Sequence, residues 1–141
     1  MPNLFLLTLK VHQQIYERTG GVLGHRLLGL PTLLLHTRGR RTGQPRTSAL
    51  LYAKDGDHLL VVASNGGHHR PPAWLLNLEA EPEVVAQVGV RKRDVTATPL
   101  RPGQPDYERL FAICDKVNKG TYTAYQRKTE RPIPVVVLSP R

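Results

Sequence analysis

The sequence predicts an α+β fold whose core is an antiparallel sheet or a small β-barrel. Strand-like runs are joined by short turns, as at Asp55-Gly56 and at Gly89, which is the pattern of a meander. Segments with helical spacing lie apart from these runs and do not alternate with each of them. At 141 residues the chain is long enough for one domain with a substantial core.

The first predicted element is an amphipathic helix. Apolar side chains recur at helical spacing in residues 4–18, and Thr19-Gly20-Gly21 ends the pattern. A glycine-punctuated connector follows over residues 24–29. We therefore divide the chain into an N-terminal helix with its connector, residues 1–30, and a barrel domain, residues 31–141.

Strand patterns cover much of the barrel domain. They occur in six segments: residues 32–37, 46–54, 57–63, 83–88, 91–99 and 132–138. The second and third segments are joined at Asp55-Gly56, and the fourth and fifth at Gly89. The last segment is a continuous apolar run, which predicts a closing strand.

Helices are predicted between and after these strands. Pro71-Pro72 precede a short helix over residues 73–78, which Pro82 prevents from extending. Residues 105–117 have the spacing of a second amphipathic helix, whose apolar face includes the single cysteine, Cys114. We therefore assign Cys114 to the core. The polar, tyrosine-bearing residues 118–130 complete a helix pair.

The charge of the chain implies an anionic partner. Lysine and arginine outnumber the acidic residues 20 to 11, which gives a net charge of +9. Nucleic acid, an anionic membrane and a polyanionic small molecule all satisfy this requirement. The chain has no helix-turn-helix or RNP-like pattern and only 6% aromatic residues, so nucleic acid is not the expected partner.

The sequence also indicates the compartment in which the protein resides. No apolar run approaches the length of a membrane span, no signal-peptide cleavage pattern follows the N-terminus, and one cysteine excludes an internal disulfide. These features predict a cytoplasmic protein. The apolar stripe of residues 4–18 either contacts an anionic membrane surface peripherally or packs against the fold. The oligomeric state is left open, with a homodimer as one alternative.

The segment between the first two strands, residues 37–48, is the strongest functional signal. It places four arginines and several hydroxyls among two glycines and a proline. Arginine pairs bidentately with phosphate or carboxylate, and glycine allows the backbone to approach an anion closely. The segment therefore predicts an anion-binding turn, with a solvated basic hairpin tip as the alternative.

A second loop, residues 63–70, leaves a strand and enters the short helix. Ser64, Asn65, His68 and Arg70 surround Gly66-Gly67 and supply a second set of polar groups. A structural turn alone would explain the glycines but not the crowding of donors.

Other motifs are absent from the sequence. Residues 39–43 lack the ending of a P-loop, and no dinucleotide-binding glycine pattern follows a strand. The adjacent pair His68-His69 diverges and has no further ligand at a usual spacing, so no metal is expected.

Four segments together resemble the deazaflavin (F420)-dependent nitroreductases, in the A group of the flavin/deazaflavin oxidoreductases. They are the arginine segment with its strand (residues 33–46), Ala63-Ser64-Asn65-Gly66-Gly67, residues 72–78 and residues 125–136. The resemblance covers residues 30–139 in order. It implies a split β-barrel of the FMN-binding type that binds reduced F420 and passes its hydride to a quinone, a nitroaromatic or another electron-poor acceptor.

The resemblance also implies the site residues. F420 carries a phosphodiester and a glutamate tail, which fits a basic turn. The cofactor-binding positions carried over from the family are Arg40, Arg41, Thr42, Gln44, Pro45, Arg46, Thr47, Ser48, Ser64, Asn65, Gly66, Gly67, Trp74 and Asn77. The catalytic positions are Ser64, Tyr122 and Tyr125, which would supply hydrogen bonds and orientation.

Several alternatives stay open at this level. Trp74 also fits a core anchor of the short helix, and the two tyrosines also fit half-buried helix residues. FMN competes with F420 as the cofactor, and a protein that binds either without turnover competes with an enzyme. The chain departs from the nitroreductase pattern at Asn65, where relatives commonly have lysine, and at Lys119, where a third tyrosine is expected.

Overall fold

A computed structural model describes residues 30–141 and the backbone of residues 26–27. The strands in this part of the chain are β1 (Arg26–Leu27), β2 (Leu30–Arg38), β3 (Pro45–Leu51), β4 (Ala53–Asp55), β5 (His58–Val62), β6 (Glu83–Val88), β7 (Arg91–Leu100) and β8 (Val135–Pro140). The helices are α1 (Ala73–Ala80), α2 (Tyr107–Val117) and α3 (Thr121–Gln126), and a 3-10 turn covers Asn65–Gly67.

The strands form one antiparallel sheet that curls on itself. The strand order is β1-β2-β6-β7-β8-β5-β4, and β3 pairs with β2. Only Tyr52 separates β3, which pairs with β2, from β4, which pairs with β5. This continuous stretch brings the two edges of the sheet together, so the predicted α+β split barrel with flanking helices is confirmed.

Two apolar clusters stabilise the barrel. The inner cluster contains alternate residues of the strands, such as Leu59 and Val61 of β5, together with Trp74 of α1. The other side chains of β5, Leu60 and Val62, join an outer cluster under α2 and α3. Because β5 is buried on both faces, its sequence is a continuous apolar run and does not alternate.

The boundaries of three predicted elements differ from the structure. The segment 46–54 is not one strand, because the chain changes partners at Tyr52. The last strand begins at Val135 and not at residue 132, since Pro132 and Pro134 have no N–H for a ladder. Helix α2 begins at Tyr107 because Asp106 is left-handed, with φ at 71°.

Other predictions agree closely with the structure. The Gly89 hairpin joins β6 to β7, and the turn after Asp55 joins β4 to β5, with Gly56 at φ +62°. Helix α1 begins after Pro72 and ends at Ala80. Cys114 is buried, as expected.

The predicted N-terminal helix and its connector lie mostly before the described residues. The helix expected over residues 4–18 lies outside the described residues. The connector, however, contains β1, which pairs with the first residues of β2. Strand pairing in the sheet therefore begins before residue 31, the predicted domain boundary.

The outer cluster contains two buried groups that can lose a proton in alkali, the Cys114 thiol and the Tyr107 hydroxyl. Burial raises the pKa of Cys114 from 9.0 to about 12 and the pKa of Tyr107 from 10.0 to about 12. The unfolded chain releases these protons at ordinary pH values and the folded chain retains them. The free energy of unfolding should therefore fall as the pH rises above about 9.

The variant Cys114→Ala measures the contribution of the Cys114 thiol to this fall in the free energy of unfolding. Between pH 9 and 10 it should lose less stability than the wild type, by up to about 1 kcal/mol, because one buried acid is absent. Urea denaturation followed by circular dichroism at pH 7.5, 9 and 10 measures the two slopes. Equal slopes over that interval would show that Cys114 does not titrate as its burial implies.

Candidate functional site

A cleft of about 380 Å³ lies between the β2–β3 hairpin and α1. Its lining consists of Gly39, Arg40, Arg41, Thr42, Arg46, Thr47, Ser48, Ala73, Trp74 and Asn77. Eight of the positions carried over from the family are in this list. The structure therefore brings the arginine turn and the short helix together. Gln44 and Pro45 belong to the same turn but do not line the cleft.

The hairpin turn is fixed by its own backbone. The N–H of Gly39 donates to the carbonyl of Gln44 at 2.8 Å, and the N–H of Gly43 donates back to Gly39 at 2.8 Å. The Thr42 hydroxyl accepts from the N–H of Gln44 at 3.2 Å, and Gly43 has φ +71°. This turn holds the surrounding arginine backbones in one arrangement.

Asn77 anchors this turn to α1. Its side-chain Oδ1 accepts from the backbone N–H of Arg40 at 3.1 Å and from the Arg40 guanidinium at 3.3 Å. Its Nδ2 donates to the hydroxyl of Thr37 at 3.4 Å. Asn77 is 5% exposed, so most of its hydrogen-bonding capacity serves the protein itself. The structure thus gives Asn77 a role in holding Arg40, besides its place in the cleft wall.

The cleft arginines form no ion pair with the described part of the chain. In residues 30–141, the ion pairs involve Arg101, Arg109 and Arg141, and none involves Arg40, Arg41 or Arg46. Three exposed cations therefore border one cleft without a counter-charge from residues 30–141. An anionic ligand would supply that counter-charge.

A partly buried chain of hydrogen bonds connects Thr47, in the wall of the cleft, to His36 and Gln87. The amide of Gln87 donates to the carbonyl of Gly89 at 3.1 Å, so its oxygen accepts from Nε2 of His36 at 3.0 Å. Nδ1 of His36 lies 3.0 Å from the Thr47 hydroxyl and forms a hydrogen bond with it. Neither His36 nor Gln87 was among the predicted site residues. Cross-strand pairing brings them together, and no sequence motif shows it.

The second loop forms a separate group with α3. Ser64 is 8% exposed and follows β5, and the next three residues have positive φ: Asn65 at 45°, Gly66 at 64° and Gly67 at 80°. The Asn65 side chain donates to the carbonyl of Arg70 at 2.9 Å, which closes the loop. A Cβ at Gly67 would lie 2.8 Å from the carbonyl oxygen of Tyr125, so this loop packs directly on α3.

The two tyrosines on α3 differ in burial. Tyr122 is 7% exposed and belongs to the outer cluster, whereas Tyr125 is half-buried and packs against that cluster. Their rings meet edge to face with centroids 6.4 Å apart. Burial raises the pKa of each hydroxyl above its ordinary value. Both hydroxyls are therefore protonated at neutral pH and suited to donating hydrogen bonds.

Helix α3 is held at its start by a carboxylate. Asp115 of α2 accepts from the backbone N–H of Thr123 at 3.1 Å and from its hydroxyl at 2.5 Å. Lys119, which stands where a third tyrosine was expected, is exposed and left-handed, with φ at 56°. It lies in the turn between α2 and α3, whereas Tyr122 and Tyr125 lie within α3.

The predicted site residues thus form two groups. One is the cleft of the arginine turn and α1, and the other is the second loop with α3. Residues 64–72 run from the second loop to the start of α1, which lines the cleft. Trp74 is 7% exposed and belongs to the inner cluster, which agrees with a core anchor of α1, and it also lines the cleft. Within residues 30–141, no group of three or more metal-ligating side chains occurs, and no helix is long and apolar enough to cross a membrane.

Sequence reasoning also missed Arg131. Its guanidinium donates to three backbone carbonyls of the second loop: Nη2 to Ser64 at 2.8 Å, Nε to His68 at 3.0 Å and Nη1 to Ala63 at 3.1 Å. The residue falls within a segment that carries the family resemblance, but nothing in a single sequence indicates which carbonyls an arginine will bind.

The close contact at Gly67 gives a test of the packing between the loop and α3. Gly67→Ala should destabilise the fold by about 3 kcal/mol or more, because the new methyl group meets backbone and φ is +80°. Gly66→Ala is the matched control, since φ is also positive but no atom lies within 4 Å. It should cost about 1–2 kcal/mol.

Urea denaturation of the two variants measures the difference between them. If Gly67→Ala were no more destabilising than Gly66→Ala, the close approach of the loop to Tyr125 would not exist in solution.

A family model for F420H(2)-dependent quinone reductases matches residues 8–140. An F420H(2)-dependent quinone reductase of Mycobacterium tuberculosis is 52% identical over 134 residues, which cover 94% of this chain and 90% of the relative.

Two solved structures are similar to this chain. One, named F420-H2 dependent reductase (FDR-A), is 31% identical with a TM-score of 0.69, over 77% of this chain and 94% of that chain. A second, described as a domain-swapped dimer, is 28% identical with a TM-score of 0.72, over 97% of this chain and 100% of that chain.

Proposed function

This chain belongs to the F420H(2)-dependent quinone reductase family, and we propose that it transfers a hydride from reduced F420 to a quinone through the two groups of residues described above. The observation that carries the proposal is the cleft bordered by three arginines without carboxylate partners in the described part of the chain. F420 has a phosphodiester and a glutamate tail, and both are anions that arginine binds well.

We assign the anionic parts of the cofactor to the arginine cleft. Arg40, Arg41 and Arg46 supply guanidinium donors, and Thr42, Thr47 and Ser48 supply hydroxyls on the same wall. Asn77 keeps Arg40 in place. Gln44 and Pro45 shape the turn behind these side chains. Each charge-assisted hydrogen bond contributes about 1.5–3 kcal/mol, so a few of them are enough for tight binding.

We assign the ring end of the cofactor and the acceptor to the second loop and α3. When bound, reduced F420 supplies the hydride. Ser64, with Asn65, Gly66 and Gly67, orients the ring region. Tyr125 is half-buried and contacts the acceptor, while the buried Tyr122 supports it edge to face. The raised pKa of each tyrosine keeps its hydroxyl protonated, so these residues donate hydrogen bonds and do not act as acids.

Location and assembly belong to the same proposal. We infer a cytoplasmic protein because its one cysteine, Cys114, is buried and unpaired, as is usual in a reducing compartment. We infer a homodimer from the neighbour that is described as a domain-swapped dimer. A peripheral membrane contact through residues 4–18 stays a prediction.

Removing two cleft arginines tests the binding assignment. Arg40→Ala combined with Arg46→Ala should raise the Kd for F420 by about 100-fold, or roughly 3 kcal/mol, since two charge-assisted contacts are lost. The wild type should also bind F420 more tightly than FMN, which has no glutamate tail, and added salt should reduce this preference. Fluorescence titration with each cofactor measures these affinities.

The matched control for this experiment is Arg91→Ala combined with Arg93→Ala. These exposed arginines of β7 lie outside the cleft, and removing them changes the net charge by the same amount. The control should leave the Kd for F420 within about threefold of the wild type. An equal loss in both double variants would mean that net charge, and not the cleft, binds the cofactor.

Turnover distinguishes an enzyme from a protein that only binds F420. Reduced F420 should be oxidised when menadione is added, because a flat, electron-poor ring can stack on the deazaflavin beside Tyr125. Tyr125→Ala should lower kcat by about tenfold, while Tyr125→Phe, which keeps the ring, should lower it less. Absorbance of reduced F420 follows the reaction. Tight F420 binding without turnover of any quinone would favour the binding protein.

A further inference from the structure

We propose that Arg131 is a positioning residue that holds the second loop in its reactive conformation and fixes it to the helix that carries the tyrosines. The inference rests on the proposed function, because it concerns the loop assigned to the ring end of F420. Arg131 acts through Ser64 and its neighbours and has no place in the arginine cleft.

The contacts of Arg131 are concentrated on one loop. All three guanidinium nitrogens donate to backbone carbonyls, at 2.8 Å to Ser64, 3.0 Å to His68 and 3.1 Å to Ala63. The guanidinium is a rigid plane of donors, so three simultaneous bonds fix the relative positions of the three carbonyls. Lysine, with a single nitrogen on a flexible chain, cannot reproduce this arrangement.

The loop needs an external support. Asn65, Gly66 and Gly67 all have positive φ, a conformation that costs energy at Asn65 and that glycine adopts with no particular preference. Its internal backbone bonds are two: Gly67 N–H to Ser64 at 2.9 Å and His68 N–H to Asn65 at 3.1 Å. The three bonds from the Arg131 guanidinium, which we call the clamp, reach carbonyls at the start and the end of the same turn.

Arg131 is itself fixed to α3. The Gln126 amide donates to the Arg131 carbonyl at 2.9 Å and accepts from the N–H of Ile133 at 2.9 Å. The N–H of Arg131 donates to the Thr129 hydroxyl at 3.3 Å. Since Gln126 is the last residue of α3, the clamp connects the Ser64 loop to the helix of Tyr122 and Tyr125. The Ser64 loop is therefore connected through Arg131 to the helix that carries Tyr125.

This placement predicts an effect on rate and not on affinity. The anionic groups of F420 are assigned to the cleft, which Arg131 does not line, so binding should persist without the clamp. Hydride transfer depends on the distance and angle between the reacting atoms, and a displaced loop changes both. Removing the cleft arginines should therefore raise the Kd for F420, whereas replacing Arg131 should lower kcat.

The test compares Arg131→Lys and Arg131→Gln with the wild type. Each should lower kcat by about tenfold or more while the Kd for F420 changes by less than about threefold. The control is Arg127→Lys, because Arg127 is an exposed arginine at the end of the same helix, and it should leave both parameters unchanged. Quinone turnover gives kcat, and fluorescence titration gives the Kd.

A second readout needs no cofactor. Backbone hydrogen exchange at Gly67 and His68 should become at least about tenfold faster in both Arg131 variants and stay unchanged in Arg127→Lys. If the wild type neither binds F420 nor turns over, the proposed function fails while this measurement still reports on the clamp.

Three results would overturn the inference. Unchanged kcat and exchange in Arg131→Lys would show that the three bonds do not hold the loop. A rise in Kd as large as that of the Arg40/Arg46 double variant would make Arg131 a cofactor ligand. A lowered thermal midpoint with wild-type kcat per folded molecule would leave Arg131 a purely structural residue.

Discussion

The burial of both faces of β2 is the constraint on which the rest of the structure depends. Leu33 and Leu35 are 0% exposed in the inner cluster, and Leu34, on the opposite face, is 1% exposed beside Ala49. A strand buried on both faces must also pair on both edges, because its backbone has no water to bond. It pairs with β3 on one edge and β6 on the other. The arginine turn follows directly where β2 emerges, at Arg38, so its position is set by the core.

The arginines of the chain divide by how their charge is satisfied. Arg109 binds both carboxylate oxygens of Asp55, at 3.0 and 3.2 Å, and so joins α2 to the β4–β5 hairpin. Arg131 bonds to backbone carbonyls. The cleft arginines have no acidic partner in the described part of the chain, although like charges placed close together repel one another. An anion bound in the cleft would relieve this repulsion.

Most of the fold could be predicted from the sequence, and the sequence also indicated the arginine turn and the short helix that line the cleft. Turn residues such as Gly56 and Gly89, and the prolines before α1, act locally, so their elements were placed within a few residues. The change of partners at Tyr52 depends on closure of the barrel, which no local pattern contains. The same limit applies to Asn77, His36 and Arg131, whose partners lie 37, 51 and 63 or more residues away. Contacts over such separations are properties of the packed chain.

The proposed hydride transfer would require the second loop and α3 to be held in a fixed relative position. Hydride transfer from a cofactor to a quinone requires no nucleophile from the protein and no side chain with a pKa near neutrality. Burial raises the pKa of Tyr122 and of Tyr125, so each hydroxyl is protonated at neutral pH. What the protein can contribute is orientation, and orientation needs rigid elements. Besides its own hydrogen bonds, the loop with three positive φ angles is held from outside by the helix against Gly67 and by the guanidinium of Arg131.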